Sequence, residues 1–368
     1  MSPTPGWGSG AGSGAVPGAG AVRAEDAFDV ERVASWLRSA AADPRGLNGI
    51  PEVRQFTGGV SNLTYLLRYA DRDVILRRPP VGTKAKGAHD MVREHDLQVA
   101  LAPVFPPVPT MVALCRDEDV LGAPFYVMER VVGTILRTDI PPELGLSRGD
   151  VERLCRGAVQ TLVQLHDVDV TMAGLAHLGR GDGYVGRQVA GWSARYRAAR
   201  TPDVGSFEPV MAWLEASQPA DVGRVLVHND FRFDNLVLAE GDPTRIVGVL
   251  DWELATVGDP LLDLGSALAY WVQADDDPVF QAFRRQPTNA DGMLTRSEVV
   301  STYLQARGLV LPAVGWAFYE VFGLFRLAVI AQQVYYRFFH GQTTNPAFGS
   351  FQAAVNHLER RCTTILER

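Results

Sequence analysis

Two periodicities divide this chain. Between residues 28 and 41 apolar positions recur at helical spacing, with Val30, Val33, Leu37 and Ala41 on one face and Asp26 or Asp29 placed to cap the start. From Pro51 the texture becomes that of strands. Runs over 53–56, 63–69 and 74–78 are separated by Thr57-Gly58-Gly59-Val60-Ser61-Asn62 and by Ala70-Asp71-Arg72-Asp73, and Pro79-Pro80 ends the third run. A helix is expected over 89–101, a Pro-rich connector over 103–109, and two more strands over 108–116 and 125–130. After Gly133 the period is helical, with helices expected over 148–168, 186–199, 207–216, 260–273, 296–307, 314–339 and 350–366. Only 225–251 breaks this run, as short strands around loops, and no internal repeat is present. The pattern predicts an α+β chain: a tail over 1–24, a small antiparallel-sheet lobe with one inserted helix over 25–130, and a mainly helical lobe over 131–368.

Composition narrows the class. The first 22 residues are almost all Gly, Ala, Ser and Pro, too poor in apolar surface to offset the entropy of ordering, so they are expected to be a disordered tail. They lack a basic segment followed by an apolar one and do not read as a signal peptide. With 46% hydrophobic and 21% charged residues, the rest suits a globular enzyme. A formal net charge of -7 argues against nonspecific attraction to nucleic acid or an anionic membrane. The apolar run 321–331 contains Arg326 and is preceded by Glu320, so it is expected to be a buried helix rather than a membrane span. Cys115, Cys155 and Cys362 are far apart and odd in number, which predicts neither a disulfide framework nor a thiolate metal site and fits a reduced cytoplasmic setting.

The chemistry concentrates in His228-Asn229-Asp230-Phe231-Arg232-Phe233-Asp234-Asn235 and in Leu250-Asp251-Trp252-Glu253. Phosphoryl transfer requires an in-line hydroxyl, a held triphosphate and neutralised charge. An Asp, an Asn five residues on, and a second Asp delivered by a following apolar strand is the spacing by which kinases orient the hydroxyl and bind magnesium. Asp230 is therefore the candidate catalytic residue, with Asn235 and Asp251 as candidate Mg2+ ligands through hard oxygen donors. A transition-metal site on His228 and Asp230 lacks a second histidine at ligand spacing, so His228 is expected to hydrogen-bond backbone instead. Upstream, the Thr57–Asn62 glycine turn either lays amides over phosphates, with Ser61 and Asn62 closing over them, or is a plain hairpin turn. Ile75 and Arg77 share a strand face, which places Ile75 against adenine and Arg77 toward phosphates, with Glu94 on the next helix as the partner of Arg77. The strand Phe125-Tyr126-Val127-Met128-Glu129 runs toward Gly133 as either an interdomain linker or a nucleotide hinge. In the second case Met128 contacts adenine and the backbone of Glu129 and Val131 hydrogen-bonds it.

These motifs resemble the aminoglycoside phosphotransferase and choline kinase superfamily. The loop 228–235 resembles that family's His-Gly-Asp-x-x-x-x-Asn, residues 250–253 its Ile-Asp-Trp-Glu, and Gly258-Asp259-Pro260-Leu261-Leu262-Asp263-Leu264-Gly265 its Gly-Asp-Pro-x-x-Asp-Leu-Ala. Thr161-Leu162-Val163-Gln164-Leu165-His166 is similar to its Leu-x-x-Leu-His helix end. The resemblance spans about residues 28–360 and is strongest toward the kinase-like domains associated with multidomain acyl-CoA dehydrogenases, through Leu76-Arg77-Arg78-Pro79-Pro80 and the helix around Tyr319-Glu320-Val321-Phe322. It implies a bilobal protein-kinase-like fold, ATP and Mg2+ as cofactors, a small hydroxylated molecule as phosphate acceptor, and a bracing role for Asp263. A hydroxyacyl thioester or an aminoglycoside is the implied acceptor class. Two positions depart from the pattern: Asn229 stands where the family has Gly, and Arg77 where many members have Lys.

Three further readings stay open on sequence: a noncatalytic nucleotide-binding pseudokinase, a protein kinase, and a scaffold. The intact Asp230, Asn235 and Asp251 weigh against the first. The absence of Asp-Phe-Gly and Ala-Pro-Glu weighs against the second, and the ordered polar loop against the third. Arg326 is either paired within the core or available to an anionic acceptor. Asp275, Asp276 and Asp277 read as a solvated loop or as an attractor for a cationic one. Neither the acceptor nor an oligomeric state is specified by these residues.

Overall fold

The computed structural model describes residues 16–56, 62–80, 90–343 and 345–368, and these divide into two compact units at Val131 and Val132. In the N-terminal unit the elements are β1 (Ala19–Gly20), α1 (Val30–Ala40), β2 (Glu52–Phe56), β3 (Leu63–Arg68), β4 (Asp73–Arg78), α2 (Met91–Leu101), β5 (Met111–Cys115), α3 (Glu118–Leu121) and β6 (Phe125–Glu129). The strands form one antiparallel sheet in the order β1-β2-β3-β4-β6-β5. Alternation along the strands builds two apolar faces. Tyr65, Leu67, Val74, Leu76 and Val127 pack with Val33 and Leu37 of α1, while Leu66, Ile75, Tyr126 and Met128 pack with Met91 of α2.

One expectation for this unit changes. The sheet begins inside the expected tail: Ala19 pairs with Phe56 and Gly20 with Gln55, and the Arg23 amide donates to Gln55 Oε1 at 2.9 Å. Backbone pairing to an existing strand edge orders the segment, and Val16 and Val22 pack against the apolar clusters on the two faces of the sheet. Arg78 is buried too, over the Phe28 and Tyr65 rings at 5.8 and 5.5 Å and bonded to the Asp26 carbonyl at 2.6 Å.

The C-terminal unit contains α4 (Arg148–His166), α5 (Tyr184–Ala199), α6 (Glu208–Ala216), β7 (Val225–Val227), β8 (Leu236–Ala239), β9 (Asp242–Val249), β10 (Thr256–Gly258), α7 (Pro260–Leu268), α8 (Pro278–Ala282), α9 (Arg296–Arg307), α10 (Ala317–Phe339) and α11 (Phe351–Leu366). The unit opens with a close approach at Gly133, where a Cβ would stand 2.1 Å from the Leu238 carbonyl oxygen. This lets Thr134 pair with Leu238. Reciprocal capping boxes start α4 (Ser147 with Asp150) and α9 (Thr295 with Glu298). At its centre α10 packs on α11, α7 and α5. It has 23 residues and is apolar enough by length and composition to cross a bilayer, but 61% of its most apolar window is buried inside the molecule. Its start shifts from the expected 314 to Ala317 because Gly315 has φ +72°.

In the acidic triplet Asp275 is exposed, as expected of a solvated loop, whereas Asp276 and Asp277 are tied to other side chains. Asp276 is buried against Arg296 (2.6 Å) and Arg361 (3.0 Å), and Asp277 caps α8 through the amides of Val279 and Phe280. Guanidinium groups already pair with Asp276 and Asp277. The three cysteines are free and buried.

Candidate active site

The short strand β7 delivers the loop 228–235. Its partner β10 follows the second motif, so the antiparallel pair Thr256–Val227 sets the two motifs side by side. The hairpin β8–β9 does the same from the other end. Leu236 faces Val249, which places Asn235, just before the hairpin, against the chain just after it, and the Leu250 amide donates to the Asn235 carbonyl at 2.8 Å. Thus Asp230, Asn235 and Asp251 meet because two strand registers converge.

Asp263 on α7 anchors the loop backbone. Its Oδ2 accepts the His228 amide at 2.8 Å and its Oδ1 the Asn229 amide at 2.7 Å. His166, ending α4, stands with Nε2 at 3.1 Å from Asp263 Oδ2 and Nδ1 at 2.5 Å from the Tyr303 hydroxyl. Burial opposes the charge on Asp263, but the His166 hydrogen bond and the neighbouring His228 outweigh it and hold the carboxyl below its ordinary 3.8. Asp259 caps α7 through the Leu261 and Leu262 amides and also accepts the Val222 amide.

His228 is fully buried. Its Nδ1 accepts the Asp230 amide at 3.2 Å, so its proton is on Nε2, which donates to the Leu250 carbonyl at 3.0 Å. Burial lowers its pKa against the pull of Asp263, Asp230 and Asp251. Trp252 lies under it with ring centroids 4.8 Å apart, its indole N–H bonded to the Val249 carbonyl.

The Asp230 carboxylate is held on both oxygens: Arg232 Nε is 3.0 Å from Oδ1, and Asn235 Nδ2 donates to Oδ2 at 3.0 Å. Because Asn235 spends its amide N–H groups on Asp230, its Oδ1 is the atom left for a cation. Asp251 sits at φ +68°, an uncommon backbone state for a non-glycine residue. Oxygen donors only, on two residues, fit Mg2+ with the remaining positions filled by phosphates and water. Among the described residues no group of three or more His, Cys, Asp and Glu side chains would hold a metal alone.

In the N-terminal unit Arg77 and Glu94 form a buried ion pair at 3.0 Å, and the Tyr126 hydroxyl donates to Glu94 Oε1 at 2.8 Å. Ile75 and Met128 are cross-strand partners on that same face, each 7% exposed. Asn62 is buried. Ser61, with the rest of the glycine turn, lies outside the described residues. The Glu129 amide is bonded to the Thr110 carbonyl at 2.8 Å and its carboxylate pairs with Arg72, while Val131 is the last residue of the unit.

Arg326 is 4% exposed, donates to the Asn229 carbonyl at 2.7 Å and lies 5.1 Å from the Trp192 ring centroid. The structure therefore spends it on the loop 228–235 rather than on an exposed anion site. Sequence reading missed Arg232, which bridges Asp230 and Asp234 (3.2 Å) over the Tyr270 ring at 4.5 Å. Burial works against its charge, but the two carboxylates prevail and raise its pKa. Its position two residues after Asp230 was the available signal.

A family model described as the phosphotransferase enzyme family matches residues 52–298. The chain is 38% identical over 298 residues to acyl-CoA dehydrogenase family member 10 of Mus musculus, an alignment covering 81% of this chain and 27% of that protein. It is 32% identical over 357 residues to acyl-CoA dehydrogenase family member 11 of Gallus gallus, covering 96% and 45%. The chain thus spans less than half the length of these curated relatives. A solved structure from Ralstonia eutropha, provisionally named an aminoglycoside phosphotransferase, matches with TM-score 0.77 at 28% identity over 93% of this chain and 99% of that one.

Proposed function

The chain belongs to the phosphotransferase enzyme family, with the α+β protein-kinase-like fold of its solved relatives, and from that premise we propose that it moves the γ-phosphoryl group of ATP to a hydroxyl of a small molecule. The observation that carries this reading is the convergence of Asp230, Asn235 and Asp251 through the β7–β10 pair and the β8–β9 hairpin. Asp230, its oxygens fixed by Arg232 and Asn235, orients the acceptor hydroxyl and receives its proton, a contribution of roughly 10²–10⁴-fold. Asn235 and Asp251 would hold Mg2+, which neutralises charge on the triphosphate when bound. Arg77, kept in place by Glu94, binds phosphate as a forked donor in the position where many relatives use Lys. Ile75 and Met128 supply an apolar surface for the base, next to the backbone of Glu129 and Val131.

The names of the relatives support a choice of acceptor class to test. Two of them carry acyl-CoA dehydrogenase names and one an aminoglycoside phosphotransferase name, which supports a hydroxyacyl thioester first and an aminoglycoside second. The test is a mass-spectrometric screen of hydroxylated metabolites, including hydroxyacyl-CoAs, aminoglycosides and choline, with ATP and Mg2+. Gain of one phosphate by a hydroxyacyl-CoA is expected. Nucleotide binding with no transfer to any acceptor would favour a noncatalytic pseudokinase.

A further inference from the structure

The turn that carries Asp251 is gripped at both ends by the catalytic loop. On one side Leu250 is bonded through its amide to the Asn235 carbonyl and through its carbonyl to His228. On the other side the Leu254 carbonyl accepts Asn229 Nδ2 at 3.0 Å. Between these ties Asp251 holds φ +68° and ψ +65°, a state that persists in a non-glycine residue only where its surroundings enforce it. Leu254 itself is 45% exposed, while Trp252 before it and Ala255 after it are fully buried.

Asn229 is itself left-handed, at φ +64°. A glycine would meet that backbone need, and asparagine is among the few other residues that tolerate it. The asparagine side chain adds bonds a glycine lacks. Its Nδ2 reaches Leu254, its Oδ1 accepts the Tyr184 hydroxyl of α5 at 3.3 Å, and that second bond fixes which way the amide faces. The Arg326 bond from α10 to the Asn229 carbonyl holds the same residue from behind.

We infer that Asn229 is a positioning residue, whose side-chain amide ties the catalytic loop to the far end of the Asp251 turn and so fixes the carboxylate offered to Mg2+. Its catalytic consequence rests on the phosphotransfer reading above, but the tie itself does not. Hydrogen exchange of the unliganded protein tests it. Asn229→Gly keeps the left-handed backbone and removes both side-chain bonds. Asn229→Asp keeps the acceptor for Tyr184 but has no N–H for Leu254. Both variants are expected to exchange faster at amides 252–255, where the Ala255 amide is bonded to the Trp252 carbonyl, with α4 and α7 unchanged. In transfer assays both should lower kcat by roughly 10- to 100-fold and raise the Mg2+ concentration required, as loss of an outer partner of a metal ligand does, with KM for the acceptor little changed. Wild-type exchange at 252–255 in both variants overturns the inference. So does acceleration spread evenly through α4 and α7, which would make Asn229 a general stabiliser. The exchange comparison uses neither nucleotide nor acceptor, so it stands or falls apart from whether the protein transfers phosphate.

Discussion

Asp263 gives each of its carboxylate oxygens to a backbone amide of the loop that carries Asp230, and receives His166 from a third direction. Since its folded pKa lies below 3.8, the stability it contributes is complete above about pH 4 and is lost as pH falls through the depressed value. Asp263→Asn should cost about 3 kcal/mol or more near neutrality, as breaking a buried charged network does. The gap in urea midpoint between wild type and variant should shrink below pH 4, and a gap constant with pH would contradict the linkage. The Arg77–Glu94 pair makes a separate prediction. A double-mutant cycle on MgATP affinity should show coupling of about 1 kcal/mol or more, whereas strict additivity would remove Glu94 from phosphate binding. This pair was legible in the sequence because strand alternation and one helix limit its geometry. The partners of Arg326 and Asn229 were not, since they lie 97 and 25 residues away along the chain and no local spacing encodes them.

Secondary elements place these residues through register and close approach. The strands around both motifs were readable as apolar runs, but β10 was not. It is three residues long, and it exists only because β7 offers it an edge. The α7–α10 contact is tighter still: a Cβ on Gly323 would stand 2.1 Å from the Gly265 carbonyl oxygen, and one on Gly265 2.4 Å from the Tyr319 carbonyl oxygen. Alanine at Gly323 gains about 1 kcal/mol of helix propensity, yet a backbone atom cannot rotate away. Gly323→Ala should therefore destabilise by about 3 kcal/mol, at the upper end of overpacking costs. It should also impair catalysis, because α7 carries Asp263. A variant as stable as wild type in urea would show that the helices separate freely.

At the scale of the whole molecule, a change of hydrophobic period separates a sheet-bearing unit from a helical one, and that change is plain in the sequence. Less visible were the sheet's extra edge at Ala19–Gly20 and the ion pairs of Asp276, both of which depend on partners distant along the chain. The residues proposed to bind phosphate, Arg77 and Glu94, lie in the first unit, and those proposed for transfer and Mg2+, Asp230, Asn235 and Asp251, lie in the second. The most direct measurement follows transfer of labelled γ-phosphate from ATP to the acceptor identified by screening, in wild type and Asp230→Ala side by side, with MgATP affinity measured calorimetrically on both. Transfer by wild type, its loss by roughly 10²–10⁴-fold in the variant, and similar nucleotide affinity are the predicted results. Equal transfer by the two proteins would contradict the assignment of Asp230 and the mechanism built on it.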